Sequence, residues 1–221
     1  EILLTCMNKI TSLPKMLTGA ALIAALLSFT SASAQIITNA YDLGTNYVTA
    51  GNFMTGDNLG SGFGPWTITA GGGGQSLSAN DNVQYGQYAF TLTNTVAGGV
   101  STANRSFSSA LPVGASFSVR FRLAHLDNSG FTNGFQLQDA SGNVLFSFYH
   151  KGGDNNNGWF TDANGTGIAT NFTYNFQGFS SLTFTLNSPT TYTFKDNGPG
   201  HGSFRGTLAN EAITQVTFLR R

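Results

Sequence analysis

Charge is the scarcest resource in this chain. Asp, Glu, Lys and Arg make up 9% of its 221 residues, against about 25% in ordinary soluble domains, so the surface must be covered by Ser, Thr, Asn, Gln and Gly. Lys plus Arg number 10 and Asp plus Glu number 10; with no net basic field, nucleic acid and anionic lipid are excluded as expected partners. Cysteine is limited to Cys6, which leaves no intramolecular disulfide and makes the core alone responsible for stability. Beyond Gln35 the only glutamate is Glu211, and glycoside hydrolysis by paired carboxylates would have to rely on aspartates at Asp139, Asp154, Asp162 and Asp196, all in turn-like contexts. His125, His150 and His201 stand alone without H-x-x-x-H spacing or a thiol partner, which argues against a transition-metal site. No G-x-S-x-G motif occurs, so serine hydrolase chemistry has no support.

Long apolar runs are also absent, apart from one near the N-terminus. Lys9 and Lys15 precede the apolar stretch Ala20 to Leu27, and Ala32-Ser33-Ala34 gives an A-x-A cleavage pattern before Gln35. The stretch is shorter than the roughly 20 residues that cross a bilayer. The pattern predicts residues 1–34 as upstream residues plus a secretory signal peptide starting at Met7, with residues 35–221 as a single domain. The expected address is secreted or cell-surface, with no membrane span in the mature chain.

What the sequence has in quantity is Phe (19) and Gly (28). Phe117, Val119, Phe121 and Leu123 alternate with Ser116, Ser118, Arg120 and Arg122, a period of two that places apolar side chains on one sheet face. Phe135 and Leu137 alternate with Gln136 and Gln138; after the turn Asp139-Ala140-Ser141-Gly142, Phe146 and Phe148 alternate with Leu145, Ser147 and Tyr149. Three such strands in succession predict an antiparallel meander over 115–151. Similar signals occur at Phe90 and Leu92, at Leu182, Phe184 and Leu186, and at Tyr192 and Phe194 before the turn Asp196-Asn197-Gly198. Phe204, Leu208, Ile213, Val216 and Phe218 mark the last strands, while the islands Tyr47-Val48 and Trp66-Thr67-Ile68 read as edge strands and Gly71 to Gly74 as a flexible connection. No stretch after Gln35 sustains a helical period. The expected fold is an all-β antiparallel β-sandwich of about ten strands.

The segments Phe121-Arg122, Gly134-Phe135-Gln136-Leu137, Gly142-Asn143-Val144-Leu145-Phe146, Leu182-Thr183-Phe184-Thr185-Leu186 and Gly202-Ser203-Phe204-Arg205-Gly206-Thr207-Leu208, followed by Ile213 to Phe218, resemble the concanavalin A-like jelly-roll domains of secreted proteins from environmental Gram-negative bacteria, many of which carry a PEP-CTERM sorting tail. The resemblance implies a jelly roll. It also implies a further strand and a sorting tail after Arg221, so the domain is expected to be truncated at its C-terminus.

Chemistry is sparse. The expected ligand-binding residues are Arg120, Arg122, Gln136, Gln138, Tyr149 and Trp159, with Trp66 and Tyr174 as further aromatics able to stack on a sugar ring. A polysaccharide lyase needs a base, a neutralising cation and a proton donor; Arg120, Gln136, Tyr149, His150 and Lys151 on one sheet face would be its candidates, in a faint resemblance to jelly-roll alginate lyases that lacks their histidine and glutamate. For calcium, Asp154, Asn156, Asp162 and Asn164 are weak candidates with hard oxygen ligands; otherwise no cofactor is expected. The expected function is an exported, non-catalytic sandwich of the cell surface or matrix that binds a polysaccharide or cell-surface glycan. A polysaccharide lyase and a purely structural surface protein are the alternatives.

Overall fold

The period-two alternation of the sequence becomes thirteen strands in the computed structural model, which describes residues 40–50, 53–71, 73–78, 88–94, 96, 98–121, 131–152, 157–173, 180–198 and 202–221. The signal-peptide region and Arg122, His125, Asp154, Asn156, Tyr174 and His201 lie outside them. In chain order the strands are β1 (Thr67–Ala70), β2 (Gly73–Ser78), β3 (Ala89–Asn94), β4 (Ser101–Ser106), β5 (Ser116–Phe121), β6 (Thr132–Gln138), β7 (Val144–Lys151), β8 (Asn157–Asp162), β9 (Gly165–Thr173), β10 (Ser180–Ser188), β11 (Thr191–Asp196), β12 (Ser203–Thr207) and β13 (Gln215–Arg220). A 3-10 turn, Gly44–Ala50, precedes them. Among the described residues, no helix is long and apolar enough to cross a membrane.

All pairings are antiparallel. A seven-stranded sheet runs in the order β1-β4-β13-β6-β7-β8-β9, a four-stranded sheet in the order β12-β11-β10-β5, and β2 pairs with β3 alone. The fold is therefore the expected β-sandwich of jelly-roll type, and its strands fall within one compact unit, residues 37–221. The predicted meander does not form. β6 and β7 make a hairpin, but β5 joins the other sheet and pairs with β10, Phe117 opposite Phe184 and Arg120 opposite Ser181. Alternation fixes which side chains are buried; it carries no information about the neighbour, and β5 finds in β10 an equally apolar partner face.

The core lies between the sheets. Phe135, Phe146 and Phe148 from the larger sheet meet Phe184, Tyr192 and Phe194 from the smaller one, all essentially buried, with ring centroids 5.0 Å apart for Phe146–Phe184 and 4.9 Å for Phe148–Phe194. Such tilted and edge-on contacts between aromatic rings add to the free energy of burying their area. One irregularity interrupts the alternation: Leu137 pairs with Phe146 and Gln138 with Val144, which leaves Leu145 as the extra residue of a bulge and turns it inward.

A second cluster, Tyr47, Phe53, Trp66 and Ala103, covers the β1–β4 end of the same inner face, with Phe90 and Leu92 of β3 packed against it. Tyr47 belongs to the 3-10 turn, not to an edge strand. At its centre Arg105 of β4 is 1% exposed. Its guanidinium forms an ion pair with Asp42, donates to the Asn58 Oδ1 and to the Gly64 carbonyl (2.7 Å), and lies between the rings of Phe63 and Trp66. The Tyr47 hydroxyl donates to Asp42 (2.9 Å) and accepts from the Trp66 indole N–H (3.1 Å), and burial together with that carboxylate raises its pKa. A buried charge so fully partnered is costly to break, because removing one member strands the other. Gly71 to Gly74 is not simply a connection either: Gly73 and Gly74 open β2 opposite Asn94 and Thr93, where a Cβ on Gly73 would collide with the Thr93 carbonyl.

Candidate functional site: the outward face of the large sheet

In β6 the inward residues Phe135 and Leu137 leave Gln136 and Gln138 pointing away from the core, and the same rule applied across the sheet defines a continuous polar face. The register places Thr67, Asn104, Thr217, Gln136, Ser147, Thr161 and Thr166 side by side, one from each strand from β1 to β9. Every member of this row is polar and none is ionisable. Thr217 and Ser147, near its middle, are buried, at 7% and 5% exposure; Asn104, Gln136 and Thr161 are half-buried.

Hydrogen bonds fix these side chains. The Asn104 amide donates to Thr217 Oγ1 (2.6 Å) and to Gln215 Oε1 (3.2 Å), and Thr217 Oγ1 donates to Gln138 Oε1 (2.8 Å). Gln138 Nε2 in turn donates to Gln136 Oε1 (3.2 Å), while Gln215 Nε2 donates to the Asp139 carbonyl (3.0 Å). A network of this kind holds amides in one orientation before any ligand arrives, which lowers the ordering cost of binding.

The next row holds the aromatics. Thr102, Leu219, Gly134, Tyr149 and Trp159 stand opposite one another in order. Tyr149 and Trp159 are both half-buried, and direct opposition brings their Cβ atoms to about 5 Å. Lys151 is exposed, with Nζ 6.0 Å from the centre of the Trp159 ring. Gly134 is needed beside Tyr149: a Cβ there would meet the Phe148 carbonyl and the Tyr149 Cα.

Of the residues expected to bind a ligand, the structure brings together Gln136, Gln138, Tyr149 and Trp159, with Lys151 at the rim. Arg120 is not among them, because it lies on the outer face of the four-stranded sheet. His150 is also separated: it follows Tyr149 directly, faces inward opposite Asn133, and is 1% exposed with its ring edge-on to Phe148 at 5.1 Å. The lyase constellation of Arg120, Gln136, Tyr149, His150 and Lys151 therefore does not share one face. Trp66 is core, not a stacking platform. Asn104, Ser147, Thr161, Thr217 and Gln215 were missed by sequence reasoning; each occupies an outward alternate position, but only the pairing order reveals that they adjoin.

The described carboxylates are engaged elsewhere. Asp139 closes the β6–β7 turn, accepting the Ser141 and Asn143 backbone N–H groups (2.8 Å each) and the Asn143 amide (2.7 Å), bonds that hold its pKa below the ordinary value. Asp162 accepts the Asn164 backbone N–H and, at 2.8 Å, the Tyr192 hydroxyl; that bond and burial push the Tyr192 pKa far upward. Asp196 accepts the Gly198 N–H, Asp57 the Met54 N–H, and Glu211 sits in the exposed connection before β13. Of the calcium candidates, Asp162 and Asn164 meet in the β8–β9 turn while Asp154 and Asn156 lie outside the described residues; among the described residues no three His, Cys, Asp or Glu gather as a metal centre.

No family model and no curated protein matches the chain. Among the solved structures that the chain resembles are these two. One is a prokaryotic β-1,3-1,4-glucanase (lichenase) derived from a mouse hindgut metagenome, at 12% identity and TM-score 0.41, covering 75% of this chain and 83% of that one. The other is the catalytic domain of PdAgaC, at 8% identity and TM-score 0.35, covering 82% of this chain and 77% of that one.

Proposed function

We propose that this chain is an exported protein that binds a polysaccharide across the outward face of its seven-stranded sheet without cleaving it. The observation that carries this reading is the uncharged row of hydroxyls and amides spanning the sheet beside the Tyr149–Trp159 pair. Sugars present hydroxyls that both donate and accept, and flat C–H faces that stack on aromatic rings. A fixed array of Asn, Gln, Ser and Thr next to two rings offers partners for both. Because the row lacks ionisable groups, the chain it fits best is a neutral glycan. The N-terminal Lys, apolar and A-x-A pattern supports export.

Cleavage lacks support on the same face. No carboxylate stands in either row of described residues, and Arg120, one of the two cations of the lyase alternative, belongs to the other sheet. Retention on a panel of neutral and acidic polysaccharides, followed together with release of reducing ends and the absorbance of unsaturated uronates, tests the reading. Retention of a neutral glycan without product is expected, with the half-buried Trp159 quenched on binding while buried Trp66 is not. Product formation would overturn the non-catalytic part, and loss of retention on every neutral glycan would leave the structural alternative.

A further inference from the structure

The outer face of the four-stranded sheet differs in kind. Its outward positions are hydroxyls joined in cross-strand pairs, Ser116 with Thr185 (2.7 Å) and Ser118 with Thr183 (2.9 Å), and three cations: Arg120, Lys195 and Arg205, all exposed. The register orders them. Arg205 stands opposite Thr193, Lys195 lies two residues farther along β11 opposite Thr183, and Arg120 lies two residues beyond Ser118, which also faces Thr183. With strands about 4.8 Å apart and a rise of about 3.3 Å per residue, the Cα atoms of Arg205 and Lys195 are about 8 Å apart and those of Lys195 and Arg120 about 12 Å. The cations thus form a diagonal across the sheet.

At one end of that diagonal, Arg205 lines a basin of about 590 Å³ together with Asn164, Asn187, Thr191, Thr193 and Thr207. The Asn187 amide donates to Thr193 Oγ1 (2.8 Å). The half-buried Asp162, beside the basin, accepts the Tyr192 hydroxyl and the Thr207 N–H, and Asp196 faces the core at 1% exposure. Among the described residues, therefore, no outward position on the four strands of this sheet carries a carboxylate.

We propose that this face is a second binding surface, separate from the neutral one, and that its ligand is an acidic polysaccharide whose carboxylate or sulfate groups are taken by Arg205, Lys195 and Arg120. A guanidinium presents paired N–H donors that match a planar carboxylate or a sulfate edge, and the Asn and Thr side chains of the basin suit the sugar hydroxyls around it. The composition argues against other anions. Among the described residues the exposed large apolar ones are Tyr41, Leu43, Val48, Met54, Leu59, Val96, Val100, Val113 and Val144, none of them on β5, β10, β11 or β12. A membrane-binding face would need an apolar anchor beside its cations, and a protein interface an apolar or aromatic centre; the described strands of this face present neither.

The test uses the full chain and polygalacturonate and dextran sulfate as probes, with a neutral β-glucan as reference. Retention on both polyanions at low ionic strength, eluted by salt as screening demands, is expected. Lys195→Glu with Arg205→Glu should weaken it at least tenfold and leave neutral-glucan binding unchanged; Lys195→Gln with Arg205→Gln, a milder change at exposed positions, should weaken it severalfold. Unchanged affinity in both double variants, or retention on polyanions that salt does not reduce, would overturn the proposal. Tighter binding to vesicles containing phosphatidylglycerol than to either polysaccharide would overturn it in favour of a lipid headgroup. Loss of neutral-glucan binding alone bears on the other face and leaves this proposal standing.

Discussion

The two outer faces of the sandwich are built by the same rule and end as chemical opposites. On the larger sheet the central outward positions are amides and hydroxyls joined by hydrogen bonds that run from Asn104 to Gln136, beside the rings of Tyr149 and Trp159 with Lys151 at the rim. On the smaller sheet they are short hydroxyls with Arg120, Lys195 and Arg205 between them, and no ring. A chain with charged residues at only 9% has placed three cations on one face and left the central row of the other without any. With so few charges, small differences in placement set the character of a whole surface.

That contrast can be broken or sharpened in several ways. The largest effect should come from beneath the neutral face. Arg105→Ala leaves the Asp42 carboxylate buried without its partner, and breaking such a pair costs about 3–5 kcal/mol. A Tm drop is expected, with faster hydrogen exchange in β1 and β4 than in β10 and β11; uniform loss of protection would show that the two faces do not rest on separable supports. Next, Tyr149→Ala with Trp159→Ala removes both rings at about 0.5–1.5 kcal/mol each, so neutral-glycan affinity should fall about 5- to 140-fold while polyanion retention stays unchanged. A parallel loss of both activities would mean that one ligand spans the two faces.

Within the neutral row, Thr217→Val removes the acceptor for Asn104 and the donor to Gln138 in a single isosteric change. A buried hydrogen-bonding group left unsatisfied costs about 1–3 kcal/mol, so a lower Tm and a several-fold weaker glycan affinity are expected by calorimetry. Salt separates the faces without mutation: raising NaCl from about 0.01 M to 1 M shortens the screening length from about 30 Å to about 3 Å, which should release a polyanion but change neutral-glycan affinity by less than about twofold. The smallest effect concerns acid. The hydrogen bonds to Asp139 depress its pKa, so the stability they contribute is present above the ordinary carboxylate range and lost as pH falls below it. Asp139→Asn should lower the Tm slightly at neutral pH, where that contribution is present, and flatten the acid limb of the Tm profile below about pH 4.

Much of this was legible in the sequence, and the reasons for the rest are specific. Phe135, Phe148, Phe184 and Phe194 were readable as core because apolar residues two apart in a strand must share a face. The same rule already puts successive residues on opposite faces, so the separation of His150 from Tyr149 was implicit in their numbering. Strand order was not implicit. Nothing local tells β5 to pair with β10, or places β13 between β4 and β6, because those choices depend on how whole faces fit. Asn104, Thr217, Gln136 and Ser147 were four polar outward positions on four strands until that order made them a row. Leu145 was hidden by a one-residue bulge, and Tyr47 by a turn held in place through distant partners, Asp42 and Trp66.

The position of β13 also constrains the order of events in folding. Its strand neighbours lie far back in the chain: Thr217 pairs with Asn104 on one side and Gln136 on the other. Without it, the large sheet is two fragments, β1-β4 and β6-β7-β8-β9, with no strand pairing between them. The sheet therefore cannot close until residues near 220 have been synthesised, and the loop entropy of those long-range pairings must be overcome before they stabilise anything. For a chain proposed to be exported, a large sheet that stays open until β13 is made leaves the preceding residues easier to hold unfolded.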